Sequence, residues 1–203
     1  LTAATTAIHQ AASLLLAYPD TDWPERLQLI QDALRSVPGE SGQLLTAFCR
    51  EAAAVPALEL QARYVTTFDR SRRRSLHLTY YTDGDTRRRG ASLVRLRSLM
   101  RAHGWQPAEG ELPDFLPALL EFAARCPEAG RQSLTGHHAA LVLLHEALEK
   151  HHSPYAAVVR AVLLTLPAPS PADRRHARQL ARTGPPAETV GLAPYSAREG
   201  GPR

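Results

Sequence analysis

The sequence predicts an all-α protein, a single-domain multi-helix bundle with a disordered C-terminal tail, and three observations carry that reading. Apolar residues recur at helical spacing along nearly all of residues 1–166. No run alternates with period two for long enough to demand a sheet. Pro, Gly and capping residue types fall between the apolar stripes, where helices are expected to begin and stop. The 203 residues suffice for one domain of ordinary size, and 44% hydrophobic against 22% charged residues is the balance of a chain that folds around a core.

The elements follow in order. A first helix reaches about Tyr18, with Ile8, Ala12 and Leu15 on one face, before Pro19 and Asp20 stop it. Asp22 is placed to cap a second helix with Pro24 in its first turn and Leu27, Ile30 and Leu34 inward; Pro38 and Gly39 end it. Ser41 opens a third, bearing Leu44, Leu45, Phe48 and Ala52. Pro56 starts a fourth, whose expected stripe is Leu58, Ala62 and Val65 and whose end is near Asp69. Residues 70–84 break the helical period and read as a long ordered loop. Asp85 is the expected cap of a helix with Leu93, Leu96 and Met100, closed by Gly104 in a left-handed conformation. After a loop over 105–113 comes a helix carrying Leu116, Leu119, Leu120 and Ala123, with Pro113 and Pro117 at its start and Pro127 closing it. Residues 128–152 form one helix or two, depending on Gly136. Ser153 and Pro154 then begin a last apolar helix with Tyr155, Val158, Val159, Val162 and Leu166.

The helical domain is therefore expected over 1–166 and a Pro/Arg-rich mobile tail over 167–203. Seven of the 16 prolines lie in that tail, and only Leu180, Val190 and Leu192 are large aliphatics there. One or two helical turns are expected near residues 173–182.

Charge is unevenly distributed. Residues 70–101 hold ten Arg against Asp83 and Asp85, while residues 1–69 and 102–166 are net acidic. No stretch approaches the roughly 18 uncharged apolar residues of a membrane helix, so stable membrane insertion is not expected. Residues 1–17 lack a basic region and a small-residue cleavage pattern, which makes the cytoplasm the expected location. Cys49 and Cys126 are too few for a disulfide framework and fit a reducing compartment.

Motifs of catalysis are missing from the pattern. His145 with Glu149 departs from the paired His spacing of helical zinc sites, no Gly-rich phosphate loop occurs, and neither Cys nor any Ser has a nucleophile's surroundings. No catalytic, cofactor-binding or metal-ligating residues are expected, and no tightly bound cofactor. The strongest local signal is residues 64–90, where seven Arg mix with Tyr64, Phe68, Tyr80 and Tyr81. A single-stranded nucleic-acid surface uses the same residue types. The competing reading pairs these Arg with acids of the flanking helices, and Asp83 and Asp85 argue against a phosphate track.

The words LLLAYP at 14–19, YVTTFD at 64–69, SRRRSLHLTYYTDGDTRRRG at 71–90 and ELPDFLP at 111–117 stand in the order of a known family. In them the chain resembles the respiratory nitrate reductase assembly chaperones, the delta subunit or NarJ family, over roughly residues 10–165. The resemblance implies a helical bundle of the molybdoenzyme-chaperone type that is not an enzyme. It implies binding to the apo catalytic (alpha) subunit of respiratory nitrate reductase, including that subunit's N-terminal segment. The chaperone would hold the subunit for molybdenum cofactor insertion and delay membrane docking until assembly is complete. The molybdenum cofactor would be handled by the client, and nucleic acid would not be a partner. A related molybdenum oxidoreductase is the alternative client. Glu111, Pro113 and Asp114 match the Glu-x-Pro-x-Asp loop of the wider group, with Phe115 where some members have His.

A bundle of this kind can offer an apolar groove to an amphipathic helix, with charges at the rim setting its orientation. The residues expected at the partner surface are Tyr64, Phe68, Tyr80 and Tyr81 in or beside the groove, with Asp69, Arg72, Arg73, Arg74, Glu111, Pro113 and Asp114 around it. The competing expectation is core burial for Tyr64 and Phe68 and helix capping for Asp114.

Overall fold

The computed structural model describes residues 2–184 and Pro186. Among them the chain is built from α-helices, with no strand beyond an isolated bridge between His77 and Phe115. Helix α1 (Ala3–Leu16) is capped by the Thr2 hydroxyl, which accepts from the Thr5 amide at 3.2 Å. Its apolar face, Ile8, Ala12, Leu15 and Leu16, forms the middle of the core. Against it pack α2 (Trp23–Leu34), α3 (Glu40–Ala53), α7 (Leu116–Arg125) and α10 (Tyr155–Leu163). Leu27, Ile30 and Leu34 of α2, Leu45 and Phe48 of α3, and Val158, Val159 and Val162 of α10 point inward at the expected spacing.

Several boundaries differ from the sequence expectation. The first helix stops at Leu16 rather than Tyr18, and the third opens at Glu40, behind Gly39 with φ 92°. The Asp22 carboxylate makes no cap hydrogen bond; it accepts from Arg26 one turn on, where a full charge is the stronger partner. Helix α4 (Ala57–Tyr64) turns Leu60 and Tyr64 to the core and leaves Leu58 79% exposed, so its expected stripe was displaced. The cause is tertiary: the Tyr64 hydroxyl donates to the Leu16 carbonyl at 2.9 Å and sets the helix's rotation.

Residues 70–84 are not a loop. Arg72–Arg74 form a 3₁₀ turn, and Leu78–Asp83 form helix α5, because Leu78 and Tyr81 share a face that finds the bundle. Thr86, not Asp85, caps α6 (Arg87–Ala102), accepting from the Arg88 amide at 3.2 Å. Gly104 has φ 70°, as expected past a helix end. Pro127 closes α7 by opening α8 (Pro127–Gly136), and α8 gives way to α9 (His138–Lys150) at His137.

At Gly130 the backbone of α8 packs directly against α7. A β-carbon there would lie 2.1 Å from the Ala123 Cα. Gly130→Ala should therefore cost about 1–3 kcal/mol through overpacking, seen as a lower urea midpoint with unchanged helix content. A wild-type midpoint would show that the two helices yield freely.

Beyond residue 166 the expected turn or two is a 13-residue helix, α11 (Pro171–Thr183), packed on α9. A reciprocal cap starts it: the Ser170 hydroxyl accepts from the Asp173 amide, and the Asp173 carboxylate from the Ser170 amide. Val190 and Leu192, with the rest of the expected tail after Pro186, lie outside the described residues.

Candidate partner-binding site

The words at 71–90 and 111–117 are far apart in sequence and meet in space. The Leu78 amide donates to the Asp114 carbonyl at 3.0 Å, and the Leu116 amide to the Leu76 carbonyl at 2.8 Å. This short antiparallel pairing exists because both segments are extended just before a helix begins. His77 lies on this pairing and Thr79 in the first turn of α5 beside it.

Both reach Asp114. Its carboxylate is 3.0 Å from His77 Nδ1, accepts from the Thr79 hydroxyl at 2.5 Å, and lies 3.4 Å from Arg89 Nη2. Asp114 is 0% exposed. Burial alone would push its pKa up; the hydrogen bonds from His77 and Thr79, with the charges of His77 and Arg89, outweigh it and hold the carboxyl below its ordinary value. The buried group is thus an ionised carboxylate that ties α5, α6 and the loop before α7 together. The capping expected of Asp114 is corrected: its side chain serves this tie, and Phe115 is the cap residue of α7.

A second tie joins the word at 64–69. Val65–Asp69 form a π-helical turn, whose Thr67 and Thr66 carbonyls accept from the Arg74 guanidinium at 2.7 and 3.3 Å. The Tyr81 hydroxyl reaches the carbonyls of Arg73 and Ser75, both at 3.0 Å. Tyr64 and Phe68 are in the core, with ring centroids 4.8 Å apart, and both meet Tyr155 edge to face. Burial pushes the Tyr64, Tyr81 and Tyr155 phenols well up, so all three stay neutral.

Outside these ties lies an open concavity of about 400 Å³, bordered by Phe68, Asp69, Arg72, His77, Tyr80 and Arg89. Of the residues expected at the partner surface, it gathers Phe68, Asp69, Arg72 and Tyr80. Arg72 is 80% exposed along its side chain, 3.4 Å from Asp85. Arg73 and Glu111 are exposed, and Pro113 is buried. Tyr64, Phe68 and Tyr81, at 5%, 6% and 5% exposed, face the interior, so Tyr80 offers the larger aromatic surface. Sequence reading missed His77, Thr79 and Arg89. The i, i+2 spacing of two polar residues between Leu76, Leu78 and a helix was the available signal.

This arrangement defines a fold class first: an all-helical bundle whose segments at 71–90 and 111–117 are joined through the buried Asp114. A structure of that class is known from Archaeoglobus fulgidus, a protein described as a redox enzyme maturation protein; it superposes with a TM-score of 0.59 at 22% identity, over 78% of this chain and 91% of that one. The chain belongs to the nitrate reductase delta subunit family, whose family model matches residues 20–161. The nitrate reductase-like protein NarX of Mycobacterium tuberculosis is 40% identical over 159 residues, 78% of this chain and 24% of NarX, so the chain spans about a quarter of that relative. The nitrate reductase molybdenum cofactor assembly chaperone NarJ of Escherichia coli K12 is 34% identical over 74% of this chain and 66% of its own. The "Probable nitrate reductase molybdenum cofactor assembly chaperone NarJ" of Bacillus subtilis is 35% identical over 77% of this chain and 86% of its own.

Proposed function

We propose that this chain is an assembly chaperone, not an enzyme, for the apo catalytic (alpha) subunit of respiratory nitrate reductase. It binds that subunit in the cytoplasm, including its N-terminal segment, keeps it open to molybdenum cofactor insertion, and delays its docking to the membrane anchor. The cofactor is the client's cargo, so the chaperone itself needs no bound metal. The observation that carries the reading is the convergence of the family's words, 64–69, 71–90 and 111–117, on one knotted surface with an open, charged concavity. The NarJ descriptions of the E. coli and B. subtilis relatives support it.

The basic centre fits this reading better than a nucleic-acid track. Arg74 is engaged by backbone carbonyls, and Arg89 by Asp114 and Asp85, while Arg72 faces Asp85. A partner meeting this rim reads mixed charge, which sets orientation and rate more than strength.

Calorimetric titration with a peptide of the catalytic subunit's N-terminus, at low and moderate salt, tests the reading. One-to-one binding with a negative heat-capacity change and weak salt dependence is expected. A steep fall with salt would instead mark phosphate-type recognition by the Arg centre. In capture of the whole apo subunit, Tyr80→Ala should weaken binding about tenfold and Arg72→Glu about threefold, with melting temperatures unchanged. Wild-type capture by both variants would remove the concavity from the binding surface. Stronger capture of a different molybdenum oxidoreductase subunit would transfer the assignment to that client.

A further inference from the structure

Helix α11 packs chiefly on one neighbour, α9. Its hydrogen bonds among the described residues stay within residues 169–184: the Ser170 and Asp173 cap, Arg174 to the Pro169 carbonyl, and Thr183 to the Gln179 carbonyl. Leu180, 8% exposed, is its buried large side chain. Between α11 and α9 a gap of about 220 Å³ is left, with Val142 and Leu143 facing Ala177 and Ala181 across it. Such a gap forfeits the close contacts that hold core helices together. Glu146 of α9 and Arg174 and Arg178 of α11 stand around the same gap. After α11 the chain returns to the candidate site: a β-carbon on Gly84 would lie 1.7 Å from the Pro186 carbonyl oxygen. Helix α11 therefore lies over α9, and Pro186 stands against the word at 71–90.

We infer that the α9 face beneath α11 is a docking groove for an amphipathic helix with a small aliphatic stripe and a basic flank, and that α11 occupies it in cis as a displaceable strap. The inference rests on the chaperone reading, and the occupant it commits to is the helical N-terminal segment of the client's catalytic subunit. Three features on α11 itself define that occupant: its aliphatic anchor Leu180, its alanines at the gap, and its arginines opposite Glu146. With one large anchor and a single main neighbour, α11 can open locally, Leu180 and the Asp173–His138 attraction being what it gives up, while the core of the bundle stays intact. A groove closed most of the time binds its ligand more weakly by the fraction of time it is open.

The test titrates the client's N-terminal peptide into three full-length chains: wild type, Leu180→Glu, and Leu180→Glu with Val142→Asp. Removing the anchor should tighten binding at least tenfold and raise amide exchange in α11 while α1–α10 keep their protection. Adding Val142→Asp should abolish the gain. Ser170→Ala, which removes the cap of α11 at a residue outside the gap, should tighten binding in the same direction. Equal affinity of wild type and Leu180→Glu, or a gain that survives Val142→Asp, overturns the inference. Capture of the whole apo subunit by wild type separates the two levels: capture with a strap-independent peptide refutes the strap alone, whereas no capture refutes the chaperone reading too.

Discussion

Asp114→Ala should lower the unfolding free energy by about 3–5 kcal/mol in urea titrations at pH 7, the range expected when one partner of a buried charged cluster is removed. The carboxylate is 0% exposed and is the common partner of His77, Thr79 and Arg89. Without it a buried hydroxyl and a guanidinium that is 22% exposed lose their acceptor, while the paired backbone of Leu76, Leu78, Asp114 and Leu116 is left to hold two segments together. Asp114→Asn keeps the shape and loses the charge, so its cost should be about half.

Asp114's folded pKa is depressed, so its contribution is present above the unfolded value of 3.8 and disappears as pH falls through the folded value. The acid limb of stability below pH 3.8 should accordingly flatten in Asp114→Asn. Because the same residue ties the borders of the concavity, capture of the apo subunit should fail in Asp114→Ala under conditions where it is still folded. A urea midpoint equal to wild type would show that the knot contributes nothing to the fold.

The second large effect concerns His9, a polar residue in the middle of α1 that is 0% exposed. The Thr165 hydroxyl donates to the Val162 carbonyl at 2.6 Å and so is an acceptor for His9 Nε2 at 2.8 Å, which places the proton of the neutral ring on Nε2. Burial pushes the His9 pKa down from 6.5 to about 4. The neutral ring is the folded form, and the unfolded chain takes up the extra proton. Stability is complete above pH 6.5 and falls as pH drops toward 4, by about 3 kcal/mol over that window. His9→Gln retains a donor for Thr165 and does not titrate, so its stability should change little between pH 6.5 and 4.5. Parallel losses in both proteins across that window would assign the acid sensitivity to other groups.

Legibility of the fold tracked the size of the apolar faces. Leu27, Ile30 and Leu34, or Val158, Val159 and Val162, bury enough surface that helical spacing alone announces them. Short elements behaved otherwise. The rotation of α4 was decided by Tyr64 reaching the Leu16 carbonyl, and α5 by burial of Leu78 and Tyr81, contacts that no local window contains. The site divides likewise: Asp69, Arg72 and Glu111 are exposed and Tyr80 is half-buried, whereas Tyr64, Phe68 and Tyr81 lie in the core. His77, Thr79 and Arg89 gained meaning only through Asp114.

What the amino-acid sequence determined by itself is the helical class, most helix positions and the words that mark the family, because periodicity, punctuation and residue identity are local properties. Tertiary structure alone decided that the words at 71–90 and 111–117 share one buried carboxylate, and that α11 lies over α9. Both depend on distance between residues remote in the chain, and a charge or a single Leu180 acquires its role only when folding brings its partner within a few ångströms.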